Sequence, residues 1–273
     1  VQPLGMVSAS SPKMDALIAN PHGLILFTGP TGSGKTTTLY DILQALAKPA
    51  VNIITVEAPL EYAVPGVGQI QVNEKAGVTF PSALRSILRQ DPDIVMIGEM
   101  RDFDTAHIGV QASLTGHLVL STLHTNDSIS AVVRLIDMGI EPYLAAGSLL
   151  GAIAQRLVRT VCPECAEESA APALFRKEGI DRVVRGRGCQ ACMGTGFKGR
   201  VGLYEQFILD DDLREMVASN APQSRIRGEA RRMGFRTLWE LGLDALRDGR
   251  TSPEELLRVV SATEFADDDG GGR

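Results

Sequence analysis

Residues 29–40 read GPTGSGKTTTLY, a glycine-rich turn that closes on a lysine and a run of threonines. The spacing GxxxxGK followed by Ser or Thr is the pattern of a loop that cradles phosphate. Gly29 and Gly34 permit backbone angles and a close approach that a side chain would block. Successive N–H groups can then point at phosphate oxygens beside the start of a helix. Lys35 is expected to reach the β- and γ-phosphates, and the Thr36 hydroxyl to ligate Mg2+. The candidate nucleotide-binding residues are Gly29, Pro30, Thr31, Gly32, Ser33, Gly34, Lys35, Thr36 and Thr37, with ATP and Mg2+ as the expected cofactors.

Binding phosphate is not yet breaking it. Hydrolysis needs a carboxylate to orient or deprotonate water, oxygens to hold a metal, and a group that feels the γ-phosphate. Glu57, Glu61, Glu99 and His124 each stand at or just past the end of an apolar, β-rich run. Taken alone, such a carboxylate is an ordinary helix cap or salt-bridge partner, and His117 or His124 an ordinary strand-end histidine. Four such groups on the edge that carries a phosphate loop point instead to one hydrolytic site.

A second constellation lies downstream. Cys162-Pro-Glu-Cys165 and Cys189-Gln-Ala-Cys192 use every cysteine in the chain. Two CxxC knuckles at this separation read as a structural Zn2+ site, because four thiolates leave no open coordination position. The alternatives are two disulfides or four unrelated thiols. The absence of a signal-peptide pattern implies a reducing compartment and argues against disulfides. The following GTGFKGRVGLYE is glycine-rich, and Phe197 and Lys198 are expected to be exposed in a loop there.

The elements that must position these groups follow from periodicity. HGLILFTGP places a short apolar strand before the phosphate loop, and TTTLYDILQALA after it has helical spacing. NIITVE (52–57), DIVMIGE (93–99) and HLVLSTLH (117–124) read as second, third and fourth strands, with helices at 82–90 and 104–116 between them. Strands alternating with helices imply a parallel sheet covered on both faces, whose ligands sit beyond the carboxyl ends of the strands. From 210 onward the pattern is helical, with N-caps at Asp210 or Asp211 and at Ser252, and Pro253 in a first turn. Leu238, Leu241, Leu243 and Leu246 read as core, with Trp239 packed among them.

The chain has 273 residues and a net charge of −6. Its apolar runs are far shorter than the ~20 residues that cross a bilayer. The acidic balance argues against nucleic acid as a partner. The start at Val1 is expected of a fragment or a processed chain, and DDDGGGR at the end of a disordered tail. A small-molecule kinase with a four-cysteine lid is a rival, but such a lid would interrupt the nucleotide core, whereas here the core precedes the cysteines.

With these motifs in place, the sequence resembles the secretion ATPase superfamily, the hexameric motors of type II secretion and type IV pilus assembly. The resemblance rests on GPTGSGKTTTLY, IITVEAPLEYAVPGVGQIQVN, LRSILRQDPDIVMIGEMRD and TGHLVLSTLHTNDS, and covers about residues 13 to 260. It implies that Glu61 activates the attacking water, that Glu99 acts around Mg2+, and that His124 senses the γ-phosphate. Arg101 becomes a candidate inter-subunit or phosphate-side arginine. The implied fold class is α/β: a RecA-like core with a largely parallel sheet over 1–160, a zinc-binding four-cysteine module over 161–203, and a C-terminal helical bundle over 204–273.

The function so implied is ATP hydrolysis that drives pseudopilus assembly and protein export. The alternatives are pilus extension and, from other classes, a DNA-translocating motor or a nucleotide-binding regulator that does not hydrolyse. A hexameric ring, cytoplasmic domains of inner-membrane platform proteins as partners, and a cytoplasmic site peripheral to the inner membrane follow from the same resemblance. The four-cysteine module matches the secretion and pilus-assembly members, not the retraction motors. There are two departures. The family reads Glu-Asp-Pro where this chain has Glu57-Ala58-Pro59, and its full-length members place an arginine-supplying domain upstream. Slow hydrolysis is therefore expected of this chain.

Overall fold

The computed structural model describes residues 12–260. In chain order the first elements are α1 (Pro12–Ile18), β1 (Gly23–Thr28), α2 (Lys35–Leu46), β2 (Ile53–Glu57), β3 (Gly68–Gln71) and α3 (Phe80–Ile87). Next come β4 (Ile94–Ile97), α4 (Phe103–Leu114), β5 (Leu118–Leu123), α5 (Ser128–Asp137), α6 (Pro142–Ser148) and β6 (Leu149–Val161). The remainder holds β7 (Ala166–Ala170), α7 (Ala173–Lys177), β8 (Arg182–Gly186), β9 (Phe197–Ile208), α8 (Asp211–Ala218), α9 (Gln223–Arg232), α10 (Leu238–Arg247) and α11 (Pro253–Val259).

The seven-stranded sheet runs β3-β2-β4-β5-β1-β6-β9. β1 pairs in parallel with both β5 and β6, β2 with both β3 and β4, and β4 with β5. β1, β4 and β5 are buried along their whole length, which is why they read as apolar runs without alternation. Helix starts follow local chemistry. Thr79 and Ser82 form a capping box at α3, and the carboxylates of Asp102, Asp127 and Asp210 cap α4, α5 and α8. Asp210, not Asp211, is thus the cap at α8, and Ser252 caps α11 with Pro253 in its first turn.

Five strands lie outside the sequence expectation: β3 and β6 to β9. β3 is a four-residue, partly exposed edge strand, GQIQ, whose pairing with β2 comes from register rather than from any apolar run. β6 has 13 residues, LLGAIAQRLVRTV, and its apolar content fits either period.

By packing, the described residues group into two compact units: 12–31, 35–154 and 206–235 in one, and 32–34, 155–205 and 236–260 in the other. The helices α8 and α9 therefore belong with the sheet. Leu213, Val217, Ile226 and Ala230 are buried in the same core cluster as Leu24, Leu26, Val119 and Leu135. The division by chain order expected at 160 and 204 differs from this grouping, since burial follows packing and not sequence distance. In the second unit β7 and β8 form an antiparallel pair, and Phe175 stacks on Trp239 with centroids 5.8 Å apart. Leu238, Leu243 and Leu246 are buried in α10 as expected, whereas Leu241 is only half-buried. Phe197 is not an exposed loop residue: it is half-buried, opens β9, and carries the Arg159 guanidinium 4.1 Å from its ring centroid. The tail DDDGGGR lies outside the described residues.

Candidate nucleotide and metal sites

The sheet order places the carboxyl ends of β2, β4, β5 and β1 side by side, so Glu57, Glu99, His124 and Gly29 follow one another along one edge. Small polar contacts lock these ends together. Thr122 Oγ1 donates to the Gly98 carbonyl at 2.7 Å and Ser121 Oγ to that of Ile97 at 2.9 Å. Thr125 N–H donates to Thr28 Oγ1 at 2.8 Å, which ties the segment after β5 to the end of β1. Gly98 has no side chain for a packing reason. A Cβ there would lie 3.2 Å from the Val56 carbonyl and 3.3 Å from Glu57 Cα.

In the phosphate loop Gly29 has φ 144° and Gly34 φ 88°, angles a side chain would strain. Lys35 opens α2 and is nearly buried. Its ammonium donates back to the carbonyls of Gly29 at 2.6 Å and Pro30 at 3.1 Å. Thr36, next on the helix, is exposed. Ser33 Oγ is buried with no hydrogen-bond partner among the described residues. An orphaned hydroxyl inside a loop of this composition fits a phosphate oxygen, because buried polar atoms otherwise find partners.

Glu99 is the meeting point of three expected residues. Its side chain is 12% exposed, Arg101 Nε lies 2.6 Å from Oε2, and His124 Nε2 lies 3.6 Å from the same oxygen. Arg101 and His124 are themselves exposed. Glu61 stands apart from this trio, exposed on the segment after β2. Glu57 is 3% exposed and is held by Tyr40, by Thr55 Oγ1 at 2.5 Å and by Gln69 Nε2 at 3.2 Å. Ala58, beside it, is exposed. Tyr40 and Gln69 were not singled out by residue type. Nothing in the local sequence marks either as a partner of Glu57, since both reach it from other elements.

The four cysteines come together although 23 residues separate the two pairs. All four sulfurs lie within 4.8 Å of one another, with Cys162–Cys189 and Cys165–Cys192 at 3.9 Å and Cys189–Cys192 at 3.7 Å. None is in a disulfide. A tetrahedron of sulfurs at Zn–S distances of about 2.3 Å has edges of about 3.8 Å, so the spacing and the donor set fit that ion. Cys192 Sγ accepts the backbone N–H groups of Cys189 and Gly196, each at 3.2 Å. The N–H of Cys189, then burial, then the N–H of Gly196 are its main influences, and the net effect lowers the Cys192 thiol to about 6. Burial pushes the Cys165 thiol up to about 12. Backbone Gly186 and Gly196 approach so closely that a Cβ on either would strike the other's carbonyl.

No helix among the described residues is long and apolar enough to cross a membrane. The model of the type II/IV secretion system protein family matches residues 1–258. The chain is 52% identical over 260 residues to the type II secretion system protein HxcR of Pseudomonas aeruginosa, covering 95% of this chain and 53% of that protein. It is 44% identical over 265 residues to the type IV pilus assembly ATPase PilB of Thermus thermophilus, covering 94% of this chain and 30% of that protein. The chain thus spans about half or less of the length of these relatives. The crystal structure of the pilus retraction motor PilT with bound ADP superimposes with a TM-score of 0.68 at 29% identity, covering 90% of this chain and 63% of that one.

Proposed function

The chain belongs to the type II/IV secretion system protein family, and from that premise we propose that it is the ATP-hydrolysing part of a type II secretion motor. The observation that carries this reading is the single sheet edge on which the phosphate loop, Glu99 with His124, and the segment bearing Glu61 meet.

In the proposed reaction the ammonium of Lys35 exchanges its loop carbonyls for β- and γ-phosphate oxygens. Ser33 Oγ gains the partner it lacks among the described residues. Glu61, on an exposed segment, takes the proton of a water whose oxygen attacks the γ-phosphorus as the bond to the β-phosphate oxygen breaks, leaving ADP and phosphate. Thr36 and Glu99 would hold Mg2+, which when bound offsets the charge on the β- and γ-phosphates. His124 reports the γ-phosphate to Glu99, 3.6 Å away, and Arg101 answers the same carboxylate from its other side. The four cysteines would hold a structural Zn2+ in the second unit. Ring assembly with five further copies, docking on cytoplasmic domains of an inner-membrane platform, and a peripheral cytoplasmic location complete the proposal.

Identity to HxcR above that to PilB supports secretion over pilus assembly. The PilB likeness over 94% of the chain favours pilus extension as the second reading. The test is ATP turnover in the full-length protein that carries this sequence. Glu61→Gln and Glu99→Gln should each keep ATP binding and lose about 100-fold or more in kcat. Undiminished turnover in either variant removes that residue from the chemistry. Complementation of a secretion-deficient strain against a pilus-deficient one separates the two readings.

A further inference from the structure

Tyr40 lies five residues after Lys35 in α2 and is 1% exposed. Its hydroxyl donates to Glu57 Oε2, and the Tyr40 hydroxyl oxygen itself accepts the backbone N–H of Glu61 at 3.4 Å. Its ring meets that of Tyr62 edge to face, with centroids 4.7 Å apart. From the other side Gln69 of β3 donates to Glu57 Oε1 at 3.2 Å and to the Tyr62 carbonyl at 3.2 Å, while its own Oε1 accepts the Val64 N–H at 2.7 Å. The exposed segment that carries Glu61 is therefore pinned at residues 61, 62 and 64 to one buried carboxylate.

That carboxylate is closed off from solvent, so it cannot itself serve a water molecule at the edge. A buried carboxylate is costly unless fully hydrogen-bonded, and here three side-chain donors meet it. Burial, and then the bond to Glu57, push the Tyr40 hydroxyl above its ordinary range. It stays protonated at neutral pH and keeps donating. Among the described residues the Thr55 hydroxyl bonds Glu57 alone, whereas Tyr40 and Gln69 also reach the Glu61 segment.

We propose that Tyr40, Glu57 and Gln69 are positioning residues that hold Glu61 in place and tie it to α2, the helix that begins at Lys35. This rests on the reading of Glu61 as the water-activating base. A network of this kind serves catalysis through geometry, since displacement of a reacting group by about 1 Å costs about 100-fold in rate.

The experiment is steady-state hydrolysis of Mg-ATP by the full-length protein with Tyr40→Phe, Gln69→Met and Glu61→Gln, singly and as the pairs with Glu61→Gln. Melting and affinity for a non-hydrolysable ATP analogue are measured alongside. Tyr40→Phe and Gln69→Met should each lower kcat about 10- to 100-fold, with KM for ATP and analogue affinity within about twofold. Neither should lower kcat further once Glu61 is Gln, because residues acting as one unit are non-additive. A wild-type kcat in both single variants overturns the proposal, as does a full repeat of the loss in the Glu61→Gln background. Loss of kcat in step with melting and analogue affinity in both variants also overturns it, by reducing the network to a structural one. If Glu61→Gln alone leaves turnover unchanged, the reading of Glu61 fails first, and the positioning role falls with it.

Discussion

The nucleotide edge and the cysteine cluster bring distant residues together in opposite ways. At the edge, the groups come from four different strands and a loop, and several remain open. Thr36, Glu61 and His124 are exposed, Ser33 Oγ lacks a partner among the described residues, and Lys35 rests on carbonyls that phosphate can replace. In the cluster, three of the four sulfurs are buried, all lie within 4.8 Å, and backbone N–H groups already face one of them. A site that turns over must let its ligand enter and leave, whereas a site that only staples a fold is best closed. The contrast fits the proposed division of labour, catalysis in the first region and folding in the second.

The largest expected effect falls on the cluster. Removing Zn2+ with a strong chelator, or Cys162→Ser, should lower the stability of the second unit by at least ~5 kcal/mol, since structural zinc contributes about 10 kcal/mol or more of binding free energy in small domains. Elemental analysis should find one Zn2+ per chain before treatment, and calorimetry should show the drop after it. Metal-free protein with an unaltered melting profile would abolish the contrast.

Next comes the edge. Lys35→Ala should weaken ATP binding about 30- to 1000-fold, on the order of 2–4 kcal/mol for a lost charge-assisted phosphate contact. It should leave melting of the apo protein within a few degrees. Titration calorimetry with ATP decides this, and an unchanged affinity would detach the loop from nucleotide binding.

The smallest effect sharpens the account of the second unit. Glu255 is 1% exposed. Burial alone would raise its carboxyl, but hydrogen bonds from Arg258 and from Arg159 outweigh that and hold it at about 2, against an ordinary 4.5. A depressed carboxyl contributes stability that is complete above pH 4.5 and is lost as pH falls from there towards 2. Because both arginines are partly exposed, the contribution is on the order of 1–3 kcal/mol. Denaturant unfolding of Glu255→Gln should show that deficit at pH 7 and a shrinking one below pH 4.5. A deficit independent of pH would mean that packing, not charge, holds Glu255.

What the sequence determined by itself is the chemistry that depends on short spacing. The phosphate loop, the CxxC pairs, the N-caps at Asp210 and Ser252, and the fully buried strands β1, β4 and β5 all declare themselves within a dozen residues. Local backbone geometry and burial on both faces dictate those residue types directly. The convergence of Glu57, Glu99 and His124 on one edge was also legible, because a parallel sheet delivers all its strand ends to the same side.

Tertiary structure alone decided the rest. Nothing in GQIQ marks β3 as a strand, since its stability comes from one partner's register and not from its own composition. Helices α8 and α9 fall with the sheet because their apolar faces found its core, a choice between possible partners that periodicity does not encode. Phe197 looked like a loop residue until Arg159, from another strand, lay over its ring. Glu57 likewise reads as one more carboxylate on the edge. Only the side chains of Tyr40, Thr55 and Gln69, from three separate elements, make it a buried anchor, because a hydrogen-bond network across elements exists only once those elements have packed.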